Sequence, residues 1–270
     1  LLVAGLDGPI PVDARRQLFL DDYLIASMAN VQRIIEPARK HPANPVIWPA
    51  EDWEAAVSIV YGSVFRDGDK YRMWYKSGMG VAYAESDDGI RWVKPRLELV
   101  TVDGRGTNLL FKADQAGVVE QFPYYYELFG VHKDERDPDP ARRYKMGFLS
   151  LDRNYQGPGG DPFHKGQRRG LGVAVSPDGL RWTLAQSWAS EAICDGATHW
   201  MFDPRLEKYV LYGRTMKTPP EIEDAWSKYD WYKKWHAGRA VARIESPDFL
   251  RWDFTRPATA PVVMTPDLAD

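Results

Sequence analysis

The chain has 270 residues, of which 44% are hydrophobic and 27% are charged, so it can bury a sizeable core and lacks the composition of a disordered protein. Lys and Arg total 35 while Asp and Glu total 38, and this near balance, with no block of like charge, argues against a protein that binds nucleic acid or a membrane surface. The single cysteine, Cys194, excludes an intramolecular disulfide and a thiolate metal cluster.

The N-terminal region carries the first predicted elements. Residues 1–15 begin LLVAGL without a Met, and we interpret them as a tail left by removal of a signal peptide or as a trimmed end. The stretches RQLFLDDYLI (16–25) and VQRIIEPAR (31–39) are predicted to be strands without partners of their own. No apolar run approaches the roughly 20 residues of a membrane span. A secreted or periplasmic location is favoured over a cytoplasmic one.

A seven-residue motif occurs three times, as SDDGIRW from Ser86, SPDGLRW from Ser176 and SPDFLRW from Ser246. Each copy follows a short run of small and β-branched residues, so we predict that it forms the tight turn of a β-hairpin and that its Trp packs between layers. A second hairpin pattern lies upstream of each copy, with an apolar run, a polar turn and an alternating aromatic run. Two hairpins make one four-stranded antiparallel sheet.

Recurring four-stranded units without helical periodicity predict an all-β fold, a β-propeller of four-stranded antiparallel blades. The blades are predicted at about residues 58–100, 122–188 and 196–256, within a propeller domain that spans residues 16–270. Three blades do not close a ring. We therefore expect further C-terminal blades, or a second chain, to complete the propeller.

The long loops of the predicted blades all lie at one end. The turns within the hairpins are short, whereas the loops at residues 150–170 and 215–238 are long. Long loops on one side of a rigid scaffold are typical of binding sites. Trp226 and Trp231, in the second loop, are predicted to stack on a sugar or to form part of a lid, with anchoring of the loop as the structural alternative.

The connections that lead into the first strand of each blade carry acids and aromatic residues. Such a site suits a polyhydroxylated ligand, because carboxylates accept hydroxyl hydrogen bonds and rings stack on sugar faces. Asp195 is the leading catalytic candidate, with an Asx-turn cap as its alternative, and burial among aromatic residues is expected to raise the pKa of Glu120 and suit it as the acid. The candidate acids are Asp52, Glu54, Glu120, Glu127 and Asp195. The candidate substrate-binding residues are Trp53, Tyr61, Glu127, His199, Trp226 and Trp231.

Four motifs resemble the five-bladed β-propeller glycosidases, the grouping of glycoside hydrolase families 32, 43, 68 and 130: ARKHPANPVIWP, GSVFRDGDKYRMWY, GVAYAESDDGIRW and FDPRLEKYVLYGR. They look most like the uncharacterised bacterial members called family 32 N-terminal-like. The resemblance covers about Arg16 to Trp252. It implies a five-bladed propeller that hydrolyses glycosides.

The sequence also departs from that grouping. In family 43 an Asp near the start of the first blade acts as the base, and Tyr61 takes its place here. The WMNDPNG-type nucleophile motif of family 32 does not occur. An acid from the first blade would therefore come from Glu51, Asp52 or Glu54.

The leading interpretation is a glycoside hydrolase that acts on an oligosaccharide or polysaccharide through paired carboxylates. The alternative is a non-catalytic propeller that binds carbohydrate. A protein-interaction propeller is disfavoured because the long loops and the acids gather at one end. The histidines show neither HxH nor HExxH spacing, so zinc is not expected and no cofactor is predicted. The resemblance allows a structural calcium near Asp195 or His199.

Overall fold

Two compact units make up the chain, Leu1–Pro42 and Ala43–Asp270. In the first unit, residues 31–39 lie exposed and form no strand, so that prediction was wrong: an apolar run becomes a strand only where a neighbouring strand pairs with it. The predicted tail at 1–15 and strand at 16–25 fall almost wholly outside the described residues. The computed structural model describes residues 14, 25, 27–54, 59–78, 80–112, 122, 124–157, 166–190, 198–215, 240–252 and 262–264.

The described part of the second unit consists of antiparallel β-sheets and two 3-10 turns, at Asp52–Glu54 and Pro140–Arg142. Sheet 1 contains β1 (Ile59–Asp67), β2 (Lys70–Ser77), β3 (Gly80–Ser86) and β6 (Leu109–Lys112), and a small hairpin, β4 (Thr101–Val102) with β5 (Arg105–Gly106), precedes β6. Sheet 2 contains β7 (Tyr125–Lys133), β8 (Tyr144–Asp152), β9 (Arg168–Ser176) and β10 (Thr183–Ser190). Sheet 3 contains β11 (His199–Asp203), β12 (Lys208–Thr215), β13 (Ala240–Ser246) and β14 (Val262–Met264).

Each sheet is a four-stranded antiparallel meander, so the predicted all-β fold of propeller-type blades is confirmed. None of the helices in the described residues is long and apolar enough to cross a membrane.

The fourth strand differs from the prediction in two of the three sheets. From the sequence, the run that contains the Arg and the Trp of the motif is predicted to be this returning strand, and in sheet 2 the strand begins directly after that Trp, at Thr183. In sheet 1 that segment makes only one bridge, between Glu85 and Val93, and the fourth strand is β6, beyond the predicted end at residue 100. Pro95 follows the bridge and offers no N–H for a ladder. In sheet 3 the fourth strand is β14, beyond the predicted end at residue 256.

The repeated motif forms a turn that its own side chains close. In the second copy, Ser176 Oγ accepts the backbone N–H groups of Asp178 and Gly179 at 3.2 and 2.9 Å. The Asp178 carboxylate accepts the next two backbone N–H groups at 2.8 Å, and Trp182 Nε1 donates to the Gly179 carbonyl at 3.1 Å. The first copy repeats all these bonds. The predicted turn is therefore confirmed.

The three sheets stack face to face in chain order. Side chains alternate along each strand, so β2 directs Trp74 toward sheet 2 and directs Met73 and Tyr75 to the opposite side. The core between sheets 1 and 2 includes Trp74, Val81, Tyr83, Phe122, Tyr144 and Phe148. The core between sheets 2 and 3 includes Phe129, Leu149, Val173, Trp200, Tyr209 and Ile244. The far side of sheet 1 is covered by Trp53 and Val102, which pack on Met73 and Tyr75.

A tyrosine–aspartate hydrogen bond joins each sheet to the next. The second strands are in register, because Tyr71, Tyr144 and Tyr209 each pair with the serine of the motif in their own sheet. Tyr144 in sheet 2 donates its hydroxyl hydrogen to Asp67 of sheet 1 at 2.5 Å. Tyr209 in sheet 3 donates in the same way to Asp134 of sheet 2.

Cations complete the environment of both aspartates. Lys133 Nζ lies 2.8 Å and Arg72 Nη1 lies 3.0 Å from the Asp67 carboxylate. Burial opposes the ionisation of Asp67, but the hydrogen bonds from Lys133 and Tyr144 and the charge of Arg72 outweigh it and lower the pKa of Asp67. The same holds for Asp134. Burial opposes its ionisation, but the hydrogen bond from Tyr209 and the charges of nearby cations outweigh burial and lower the pKa of Asp134.

We predict that Tyr209→Phe lowers the free energy of unfolding by about 1–3 kcal/mol, because it removes a hydrogen bond to a buried carboxylate. Tyr71→Phe is the matched control, since Tyr71 occupies the same position in sheet 1 and no described residue bonds to its hydroxyl. Its effect should stay within about 0.5 kcal/mol. Urea denaturation of both variants measures the difference, and equal losses would contradict the role assigned to the bond.

Acid should weaken the stacking of the sheets. The folded-state pKa values of Asp67 and Asp134 lie below the ordinary value of 3.8, so the unfolded chain binds protons first. Their contribution to stability is complete well above pH 3.8 and is lost as the pH falls through the folded-state values. We expect the free energy of unfolding to fall steeply below about pH 4, and less steeply in Asp134→Asn. An identical pH dependence in the variant would contradict this.

Candidate functional site

The first strand of each sheet lies beside the first strand of the next, and we call β1, β7 and β11 the inner strands. The Val131 N–H in β7 donates to Ser63 Oγ in β1 at 2.9 Å. The ring of His132 in β7 lies 4.3 Å from the ring of Trp200 in β11. The predicted site therefore belongs at the N-terminal ends of these strands, where the connections between sheets enter.

Two inner strands are bulged at these ends. The pairing of β1 with β2 shifts register between Ile59 and Ser63, on either side of Tyr61. The pairing of β7 with β8 shifts register just before Glu127 and again between Leu128 and Gly130. Bulges change the direction of side chains and are common beside functional sites. Both irregularities therefore fall at residues that the sequence predicts to bind substrate.

These bulges bring Tyr61 and Glu127 to the same cation, and we call Tyr61, Lys76 and Glu127 the inner-strand cluster. Lys76 Nζ donates to Glu127 Oε1 at 2.9 Å and lies 6.0 Å from the centre of the Tyr61 ring. The Glu127 side chain is 10% exposed and that of Lys76 is 35% exposed. The cluster thus places a buried carboxylate beside an ammonium group and a phenol ring that are both partly exposed.

Gly62 allows the strands to approach each other at this cluster. A Cβ atom at this position would lie 1.9 Å from the Trp74 carbonyl oxygen and 3.0 Å from Leu128 Cδ2. Every other residue would push β1 away from β2 at the backbone. The close packing beside Tyr61 therefore requires glycine.

A groove of about 580 Å³ runs along the inner strands from Gly62 toward their C-terminal ends. Residues 62–68, residues 131–133, Glu135 and His199 line it. His199, a predicted substrate-binding residue, therefore faces the groove. Arg66 and Asp67 also line it, at the end of β1 opposite the inner-strand cluster.

His132, which the sequence analysis did not single out, is the second imidazole of the groove. Removal from water and the neighbouring His199 both lower the pKa of His132. Its ring is accordingly neutral at physiological pH and has one nitrogen that can accept a hydrogen bond.

Asp52, Trp53 and Glu54 lie on the other side of sheet 1 from Lys76, which corrects the expectation that they meet the acids of the second blade. Trp53 is buried against Met73, and its Nε1 donates to Asn108 Oδ1 at 2.9 Å. No face of this indole is free to stack on a sugar. Asp52 is 77% exposed and pairs with Arg105 at 2.6 Å.

Glu54 is a structural carboxylate. It has no exposed surface, and Lys94 Nζ lies 2.6 Å from one of its oxygens while Tyr75 donates to the other at 2.8 Å. The backbone N–H groups of Ala50 and Glu51 donate to it at 2.7 and 3.1 Å. Burial opposes its ionisation, but the bonds from Lys94, Ala50 and Tyr75 outweigh this and lower the pKa of Glu54. It fastens the 3-10 turn to sheet 1 and does not reach a substrate.

Four predicted site residues lie outside the described residues: Glu120, Asp195, Trp226 and Trp231. Their roles stay predictions. Within the described ranges, no group of three or more His, Cys, Asp and Glu side chains is arranged to hold a metal ion.

Lys76 is the site residue that the sequence analysis missed. Its signal lies in KYRMWYKSG, where alternation from the buried Trp74 places Lys76 on the same face two residues later. A lysine at the end of a strand is usually predicted to be solvent-exposed. Only the contact with Glu127 across the two sheets distinguishes it.

Comparison with known proteins gives distant similarity only. No family model matches the chain. It is 26% identical over 200 residues to the uncharacterized protein Rv1502 of Mycobacterium tuberculosis, an alignment that covers 65% of this chain. The chain spans about half (52%) of the length of this curated relative.

The solved structures to which the chain is similar include glycoside hydrolases. A thermostable family-43 glycoside hydrolase has a TM-score of 0.47 and 12% identity, covering 76% of this chain and 52% of that protein. A Bacteroides ovatus protein provisionally described as a glycoside hydrolase has a TM-score of 0.49 and 16% identity, covering 87% of this chain and 64% of that protein.

Gly62→Ala should destabilise the fold by about 1–3 kcal/mol, because the new methyl group overlaps the Trp74 carbonyl and the bulge of β1 must move. Gly106→Ala is the control, since its nearest neighbours would lie 3.8 Å away at ordinary contact distance. Thermal or urea unfolding measures both changes. Equal stability of the two variants would show that the strands separate here without cost.

Proposed function

We propose that this chain carries part of the active site of a glycoside hydrolase that acts on an oligosaccharide or polysaccharide. The observation that supports it best is the inner-strand cluster, where Glu127, Lys76 and Tyr61 meet at two β-bulges. The motifs that resemble propeller glycosidases support it independently. The proposal covers the chemistry of the site and leaves the sugar and linkage open.

Glycoside hydrolysis uses two carboxyl groups on either side of the scissile bond, one protonated to assist the leaving oxygen and one ionised as nucleophile or as base for water. In this proposal Glu127 is the ionised member, because the Lys76 ammonium group donates to it. Asp195 or Glu120, from the connections that enter the inner strands, is the protonated member. The Tyr61 ring stacks on the sugar or donates its hydroxyl hydrogen to it.

A non-catalytic propeller that binds carbohydrate is the second candidate. The observation that favours it is Tyr61, which stands where the resembling family 43 enzymes carry their base. A site without that carboxylate can still hold a sugar through ring stacking and hydroxyl bonds.

The two candidates differ in how the natural full-length protein responds to loss of one acid. Under the first, Glu127→Gln and Asp195→Asn should each reduce the release of reducing ends from plant, algal and bacterial polysaccharides by at least about a hundredfold, with binding retained. Asp87→Asn is the control, because this acid is 86% exposed at the opposite end of the sheet. Binding without release in the unaltered protein would support the second candidate. Turnover that survives in Glu127→Gln would remove Glu127 from the proposed pair.

A further inference from the structure

The Tyr125 hydroxyl, at the start of β7, is buried without an acceptor for its hydrogen. The residue is 6% exposed, and its ring packs edge-on against Phe111 at 5.0 Å and beside Phe148 at 5.7 Å. No described group accepts the hydroxyl hydrogen. Phenylalanine would fill this space between aromatic rings without burying a polar atom, so the hydroxyl needs a partner to offset its removal from water.

The surroundings of this hydroxyl place it at the bulge of β7. The backbone N–H of Leu128 faces the phenol oxygen, and the negative charge of Glu127 is close enough to act on the phenol. Burial and that charge raise the pKa of Tyr125, so the hydroxyl keeps its hydrogen as a donor. The pairing of β7 with β8 shifts register between Tyr125 and Glu127. The donor therefore lies beside Glu127 in an irregular stretch of backbone.

Glu127 has one carboxylate oxygen without a donor. Lys76 Nζ donates to Oε1 at 2.9 Å, and no other described group donates to this carboxylate. The side chain is 10% exposed, so bulk water surrounds little of the second oxygen. A buried donor without an acceptor thus lies two residues from a carboxylate oxygen without a donor.

We propose that a buried water molecule in the bulge of β7 accepts the Tyr125 hydroxyl hydrogen and donates one of its own to Oε2 of Glu127. Tyr125 is then a positioning residue of the active site, an assignment that rests on the glycosidase function proposed above. Buried waters in proteins make about three hydrogen bonds. A bulge leaves backbone groups outside the ladder, and these can supply the third bond.

With this water in place, each oxygen of the Glu127 carboxylate has a donor, the Lys76 ammonium group on Oε1 and the water on Oε2. Both donors favour the ionised form, which is the form that a nucleophile or base needs. A carboxylate oxygen accepts more than one hydrogen bond, so Oε2 keeps a lone pair for the substrate. The charged and titratable groups around this carboxylate include Lys76 from β2, Tyr61 from β1 and Tyr125 from β7.

Tyr125→Phe in the natural full-length protein removes this donor and keeps the ring. A carboxylate that loses a donor takes up a proton at higher pH, so the acidic limb of the kcat profile should move to higher pH, and kcat on that limb should fall about tenfold. KM should change less than about twofold, because Tyr125 does not touch the sugar. Tyr83→Phe is the matched control. Tyr83 is 2% exposed in the same core, but its hydroxyl bonds to Glu85 at the motif end of β3, so its profile should not move.

A measurement without catalysis separates this water from the proposed function. The titration of the Glu127 carboxyl carbon, followed by carbon NMR, should move to higher pH in Tyr125→Phe and stay unchanged in Tyr83→Phe. A moved titration in a protein that releases no sugar would support the water and overturn the glycosidase. Turnover with a pH profile and a titration that are both insensitive to Tyr125→Phe would overturn the water and leave the glycosidase standing.

A high-resolution crystal structure of the unaltered full-length protein tests the contact directly, and it decides the case even if the variant does not fold. It should show one water within hydrogen-bond distance of both the Tyr125 hydroxyl and Oε2 of Glu127. A hydroxyl and a carboxylate that share no water would overturn the proposal.

Discussion

The stacking of the sheets depends on a carboxylate at the end of each first strand that accepts the hydroxyl hydrogen of a tyrosine in the next sheet. A buried carboxylate is costly unless charges and donors surround it. Asp67 meets that condition with Tyr144, Lys133 and Arg72, and these groups come from two sheets. Burial and the adjacent Asp67 raise the pKa of Tyr144 to about 12, so the tyrosine stays protonated as the donor. The bond therefore fixes both the spacing and the register of neighbouring sheets.

The two interfaces between sheets fill their space with different residues. At the first, the Trp74 indole lies over Gly179, where a Cβ atom would come within 2.9 Å of the ring. At the second, Gly147 stands in the position of Trp74, and Phe249, fully buried, stands in the position of Gly179. Phe249 keeps the left-handed backbone of the turn, with φ of 68°, at a cost of about 1–3 kcal/mol. Its ring packs 4.5 Å from Trp200, so at the second interface the large aromatic residue comes from the following sheet instead of the preceding one.

The features best predicted from the sequence are those that depend on residues close together along the chain. The motif turn was predictable because its donors and acceptors lie within seven residues, and the sheet class followed from its recurrence. The fourth strand of sheet 1 was not predictable in this way. A proline lies just after Val93, and the strand begins only after an inserted hairpin. The site was partly predictable: Tyr61 and Glu127 were expected there, but Lys76 joins them only through contact between sheets. In the sequence, Asp52 and Glu54 cannot be distinguished from the other acids in the predicted loops. The side of the sheet on which they lie is set by tertiary packing, so the sequence did not predict it.

The self-contained motif turn also bears on the order in which the chain folds. Its hydrogen bonds join residues two or three positions apart, so each turn closes at little entropic cost and can form while the rest of the chain is unordered. The bonds between sheets join Asp67 to Tyr144 across 77 residues and Asp134 to Tyr209 across 75. Such distant contacts are the slow events of β-protein folding. In such a chain the hairpins form early and the contacts between sheets form late. Each folded sheet then provides the surface against which the next sheet packs.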